Sequence, residues 1–304
     1  MITILILIAV IAVALAFEFI NGFHDCANAI ATVVSTKVLS PKQAVLFGAS
    51  LEFIGALTGT HVAKTIGAGI VNSDMITLTV IFCALLAAVI WNLFTWWLGL
   101  PSSSSHALIG GLLGAAIVKA GTSVVHIHTL MDKVIIPMFT SPVLGFCVGF
   151  TLMLLIAWVV IVLRETPNTV NKQFRKLQLL SSGLMALSHG SNDAQKTMGI
   201  ITLALLAGGV LKPDPTGGFE IPLYVIMACA LTMAAGTMNG GWKIIKTMGH
   251  KIIKLKPIHG VGSTFHAHAV KWRIVGNIVI AWVVTIPACM IISSIIYYLI
   301  YKIV

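Results

Sequence analysis

Eight apolar stretches, each close to or beyond the length that crosses a bilayer, occupy most of this 304-residue chain: residues 2–36, 44–70, 76–98, 103–120, 134–163, 178–211, 221–241 and 274–301. About 20 predominantly apolar residues span the hydrocarbon core as a helix. Inside lipid every backbone N–H and C=O must find a partner within the protein, which leaves only helices and closed barrels. Runs this long read as helices. The expected fold class is therefore all-α, a polytopic bundle in the cell membrane, multi-pass and surrounded by the lipid bilayer. Composition agrees: the chain is 58% hydrophobic and 9% charged, where soluble domains carry about 25% charged residues. The cysteines Cys26, Cys83, Cys147, Cys229 and Cys289 are scattered through apolar runs with no CxxC pair. That pattern argues against a disulfide frame or a zinc site.

A net charge of +10 raises the question of nucleic acid, but its distribution answers otherwise. The basic residues cluster between apolar runs, at Arg164 to Lys176 and Lys243 to Arg273, as cytoplasmic loops do under the positive-inside rule. Nucleic acid is not an expected partner. Met1 to Phe17 lacks a basic start and a small-residue cleavage site and runs straight into a polar motif, so it reads as a retained helix. With Arg164 to Lys176 inside, counting crossings backward puts the N-terminus outside. Counting forward puts the Lys243 to Arg273 block inside, in agreement with its charge.

The first and sixth stretches are too long for one straight crossing, and each carries a polar sentence near its middle. One is Asn21-Gly22-Phe23-His24-Asp25-Cys26-Ala27-Asn28-Ala29; the other is Ser188-His189-Gly190-Ser191-Asn192-Asp193-Ala194-Gln195-Lys196. Carboxylates at membrane depth are costly and mark ion or substrate paths. The crossing count sends the first copy inward and the second outward. This predicts two inverted-topology repeats with broken helices at the midplane, a layout that places a shared site there. The expected organisation is residues 1–163 as the first repeat, 164–177 as a cytoplasmic linker and 178–304 as the second repeat. A second pair of words, Lys64-Thr65-Ile66-Gly67 and Lys246-Thr247-Met248-Gly249, supports the duplication.

Between two apolar runs lies Pro101-Ser102-Ser103-Ser104-Ser105-His106. Proline followed by serines reads as a helix start with hydroxyl caps, and a helix N-terminus is a ready anion site. Two aspartates next to an anion would repel it at low dielectric. A cation or proton on Asp25 and Asp193 removes that conflict, so these two are the expected coupling residues, with sodium as one candidate cation. Ser102, Ser103, Ser104, Ser105, Asn28, Asn192, Gln195 and Lys196 are the expected substrate contacts. The amides of Asn28, Asn192 and Gln195 offer a cation an oxygen or an anion an N–H.

At these residues the chain resembles the inorganic phosphate transporter (PiT) family, phosphate permeases with sulfate-transporting relatives. The family carries a Gly-Ala-Asn-Asp-Val-Ala-Asn-Ala-like sequence in each half and a Pro-Ser-x-x-His-like sequence later in each. Gly22 to Ala29 matches the first copy, with Phe23 and His24 in place of Ala and Asn. Gly190 to Thr197 matches the second, with Ser191 for Ala and Gln195-Lys196 for Ala-Asn. Pro101 to His106 matches the serine element. The resemblance implies a secondary active transporter of inorganic phosphate, coupled to Na+ or H+, without a cofactor and without enzymatic activity. Sulfate or another oxyanion is the alternative substrate, and a homodimer is compatible with it.

One departure stands out. Gly67 to Gly114 spans 47 residues, and the apparent counterpart, Gly249 to Gly262, spans 13. The second half therefore looks short by about 34 residues near His259–Gly262 and lacks the Pro-Ser-x-x-His element. A non-transporting shortened relative is thus a rival reading. A further rival, an intramembrane aspartyl protease using Asp25 and Asp193, leaves the serine run unexplained. Glu52, His24 and His189 are secondary candidates, the histidines as hydrogen-bonding helpers to the aspartates.

Overall fold

A computed structural model describes residues 2–61, 63, 71, 76–162, 164, 166–212, 219–248 and 272–303. Among these the structure is helical, with one isolated bridge between Val71 and Val125 as the only β pairing. The helices are α1 (Ile2–Ser35), α2 (Pro41–Ala56), α3 (Leu78–Leu98), α4 (Ser104–Ala120), α5 (Ile136–Val162), α6 (Pro167–Ala207), α7 (Leu223–Asn239), α8 (Trp242–Lys246) and α9 (Trp272–Ile303). Among the described residues, four segments are long and apolar enough to cross a membrane: Thr3–Ser35, Leu78–Leu98, Ile127–Val162 and Arg273–Ile303. The boundaries follow local chemistry. Ser40 and Gln43 close a capping box in front of α2, with Pro41 in its first turn. Gly99, at φ 68°, ends α3 in the left-handed conformation that glycine adopts without strain. Lys64 to Gly67, Gly249 of the matching word and the shortened stretch near His259–Gly262 lie outside the described residues.

Two expectations are corrected. The helices carrying the aspartates are not broken: α1 and α6 run through both polar sentences without interruption. Their polar side chains are met by side chains from neighbouring helices, so the backbone has no need to unwind. The breaks fall instead after α2 and between α7 and α8. α2 stops at Ala56 with a turn at Leu57 and Thr58, well short of the 44–70 span expected. α7 stops at Asn239, and Gly240 turns at φ 72° into α8. Each break lies beside one of the aspartate-bearing sentences. Gly241 packs on the Phe23 carbonyl, two residues from Asp25, and Gly59 faces the Gln195 side chain, two residues from Asp193. The second correction concerns the basic linker. From Pro167 onward it is helix, because Thr166 caps the N-terminus and proline suits the first turn. That extension explains why α6 reaches 41 residues.

α1 and α6 lie side by side and antiparallel. Thr36 hydrogen-bonds Gln178 at 2.9 Å, Ser182 donates to the Ala29 carbonyl at 2.7 Å, and Thr197 donates to Glu18. Partner numbers on α6 rise as those on α1 fall. Glycines fix the remaining contacts by a repeated rule. A Cβ on Gly22 (α1) would overlap the Met233 carbonyl (α7), and one on Gly190 (α6) would overlap the Glu52 carbonyl (α2). Likewise Gly236 (α7) seats on Phe19 (α1), and Gly55 (α2) on Leu187 (α6). α1 therefore docks on α7 and α6 on α2, through the small-residue contacts that let membrane helices approach closely. α3, α4 and α9 pack as a second group, tied by the Trp91 indole donating to Thr285 at 3.0 Å. α5 differs. Beyond Met138, which packs on Ile286, its side chains are largely exposed, from Phe146 at 69% to Ile161 at 74%.

Candidate functional site

The site lies where α1, α2, α3, α4 and α6 converge. On α1, Asp25 is buried. Its Oδ1 pairs with His24 Nδ1 at 2.8 Å, and its Oδ2 accepts from the Ser104 hydroxyl at 2.9 Å. His24 Nε2 meets Thr95 of α3 at 3.0 Å, and Thr95 meets Ser102 at 2.9 Å. These contacts bind the first half's aspartate to the serine run. On α6, Asp193 pairs with Lys196, one turn on, and Lys196 also donates to Ser105. His189 stands between two acids, with Nδ1 2.8 Å from Glu52 of α2 and Nε2 3.7 Å from Asp193. Thr237 of α7 donates to the other oxygen of Glu52.

The two polar systems meet. Among the described residues, ligand atoms of Asp25, His189 and Asp193 all lie within 4.8 Å of one another. The antiparallel crossing of α1 and α6 makes this possible, since it lays the centre of one polar sentence across the centre of the other. The carboxylate oxygens suit a hard cation, with the imidazole nitrogen completing the cluster. The serines divide their tasks. Ser103 caps α4 and accepts from the His106 N–H at 3.2 Å, while Ser102, Ser104 and Ser105 point their hydroxyls into the cluster. The first amides of α4, at Ser104 and Ser105, have no acceptor within the helix.

Of the expected site residues, the structure gathers Asp25, Asp193, Lys196, Ser102, Ser104 and Ser105. Gln195 is buried and accepts from the Ala63 N–H at 3.4 Å. Asn28 and Asn192 are exposed and stand outside the hydrogen-bonded cluster. Sequence reading missed Thr95, Thr237, Thr197, Asn21 and Glu18. Two of these carried a signal: Asn21 opens the first polar sentence, and Glu18 is an acid isolated in an apolar run.

Charged side chains sequestered at the crossing of continuous apolar helices, with an anion-ready helix start beside them, define a membrane transporter rather than an enzyme. The chain belongs to the phosphate transporter family, which it matches over residues 21–268. A probable low-affinity inorganic phosphate transporter of Rhizobium meliloti (strain 1021) is 42% identical, over 96% of this chain and 96% of its own length. Its counterpart in Bacillus subtilis (strain 168) is 41% identical over 98% of both. The low-affinity inorganic phosphate transporter PitB of Escherichia coli (strain K12) is 33% identical over 71% of this chain and 50% of its own. A solved structure described as the sodium-dependent phosphate transporter shares the fold, with a TM-score of 0.82 at 22% identity, covering 98% of this chain and 100% of that one.

Proposed function

We propose that this chain is a secondary active transporter of inorganic phosphate, driven by a monovalent cation held between Asp25 and Asp193. One observation carries the reading: carboxylates from the two halves converge to within 4.8 Å. At that separation two unit charges repel by about 3 kcal/mol at an effective dielectric of about 20. Lys196 offsets Asp193 directly, and Asp25 has no such ammonium partner among the described residues. A cation beside Asp25 relieves the repulsion and turns the site from acid-lined to anion-tolerant. Phosphate then meets the Ser104 and Ser105 amides, the serine hydroxyls and the Lys196 ammonium, with Asn28 and Asn192 as outer contacts on the exposed side. Binding of cation and anion is thereby mutually favourable, as linkage requires. The names of the relatives support phosphate as the substrate, and the name of the structural neighbour supports sodium as the coupling ion.

We also infer that the halves are inverted repeats and that the second is shortened near His259–Gly262. The antiparallel α1 and α6 and the reciprocal glycine contacts support the first point. The alignment to the Rhizobium relative supports the second. It runs over 327 positions while taking in 96% of a 304-residue chain, about 292 residues, so about 35 positions have no counterpart here. The test is uptake of radiolabelled phosphate into proteoliposomes, with sodium and pH gradients imposed separately. Gradient-driven uptake that disappears in both Asp25→Asn and Asp193→Asn supports the coupling site, and uptake unchanged in both rejects it.

A further inference from the structure

We propose that Glu18, Asn21 and Thr197 form a second sodium seat, distinct from the Asp25–Asp193 site. Glu18 is fully buried on α1. The Thr197 hydroxyl of α6 donates to its Oε2, while its Oε1 has no hydrogen-bond partner among the described residues. One turn on, Asn21 is 2% exposed, and its Oδ1 is also unpartnered. Residues three apart share a helix face, and that face of α1 is turned toward α6, since Thr197 reaches Glu18. Two buried acceptors on one helix face, each without a donor among the described residues, are a costly arrangement for a protein to leave unfilled.

The reciprocal packing shows what is missing. Gly22 meets Met233 as Gly190 meets Glu52, so Met233 on α7 holds the place that Glu52 has on α2. The same correspondence sets Asn21 opposite His189, each lying four residues before its aspartate. Glu52 is neutralised by the His189 imidazole and held by Thr237. On the other side the acid has moved to Glu18, a threonine holds it in the same manner, and an amide stands where the histidine would be. The nitrogen donor that serves Glu52 is therefore absent at Glu18, and a bound cation takes its place beside the carboxylate. Carboxylate, amide and hydroxyl oxygens are the ligands that a hard cation takes. A seat here gives the transporter a second sodium, with Glu18 about two helical turns before Asp25 along α1 and clear of the serine run.

The experiment is a thermal-unfolding titration of the purified full chain with NaCl, with choline chloride holding ionic strength constant and phosphate absent. The Asp25→Asn/Asp193→Asn double variant should keep a saturable rise in unfolding temperature, and adding Glu18→Gln should remove it. Glu18→Gln alone should lower the Hill slope for sodium in phosphate uptake from about 2 toward 1. Thr197→Val keeps the acid and serves if Glu18→Gln misfolds; it should raise the sodium midpoint about tenfold. A sodium response that vanishes in the aspartate double variant but survives Glu18→Gln overturns the second seat and leaves the Asp25–Asp193 reading standing. Glu18→Gln that titrates like wild type in every assay means that Glu18 carries a proton instead, and it overturns the seat as well.

Discussion

Adding one methyl group at Gly190 tests the packing rule that brings the aspartates together. A Cβ there would sit 2.6 Å from the Glu52 carbonyl carbon and 2.7 Å from its Cα. Both are backbone atoms, so no rotamer change can relieve the overlap, and α2 and α6 must move apart. Overpacking of this kind costs about 1–3 kcal/mol, and contact with rigid backbone puts it near the upper end. Alanine recovers about 1 kcal/mol of helix propensity over glycine. The expected net loss for Gly190→Ala is therefore about 2 kcal/mol. Gly145 on α5 is the control, since a Cβ there meets nothing within 4 Å. Gly145→Ala should show only the propensity gain of about 1 kcal/mol. The assay is unfolding in mixed micelles titrated with sodium dodecyl sulfate, followed by tryptophan fluorescence, alongside phosphate uptake. Gly190 lies three residues before Asp193, so the displaced helix also carries the aspartate away from Asp25, and uptake should fall with stability. Equal shifts at Gly190 and Gly145 would refute the reasoning, as would full uptake in a destabilised Gly190→Ala.

Three further outcomes are expected. Ser103→Ala should cost about 1 kcal/mol of stability as a lost cap with its phosphate saturation curve unmoved, whereas Ser105→Ala should weaken phosphate half-saturation with little change in stability; saturation curves and unfolding titrations on both variants separate the two. Lys196→Met should abolish proteoliposome uptake, because it strips Asp193 and the anion of their shared ammonium, and Lys196→Arg should retain a measurable fraction. Glu52→Gln should lower stability by about 1–3 kcal/mol through a weakened partner for His189, seen as a lower unfolding midpoint, and a midpoint at or above wild type would show that the buried contact adds nothing.

The spans were legible because membrane helices announce themselves by length and apolarity. α3, α4, α7 and α9 begin and end within two residues of the expected bounds. The antiparallel pairing of the aspartate helices followed from charge alone, through the crossing count. The positions of the breaks did not. A polar sentence inside an apolar run reads as a site of unwinding only while its partners are unknown, and here they come from Thr95, Ser104 and Glu52, far away in the chain. The real breaks carry a weaker mark, the Gly240-Gly241 pair and the turn after Ala56. Within the site, Asp25, Asp193, Lys196 and three of the four serines could be named from the sequence. Glu18 could not, because its meaning depends on Thr197, 179 residues away, and on Asn21 standing where the other half has histidine. The exposure of Asn28 and Asn192 was equally hidden, being set by which side of each helix its neighbours cover.

The reciprocal seating of α1 on α7 and α2 on α6 has a consequence for biogenesis. When the ribosome has delivered only the first half, Glu52 has met neither Thr237 nor His189, and the α1 glycine face has no backbone to rest against. The nascent protein must therefore hold acidic side chains in the bilayer, ungrafted, until translation has passed residue 240. Newly inserted N-terminal fragments should be prime clients for membrane-embedded chaperones and quality-control proteases, and separately expressed halves should survive only when made together.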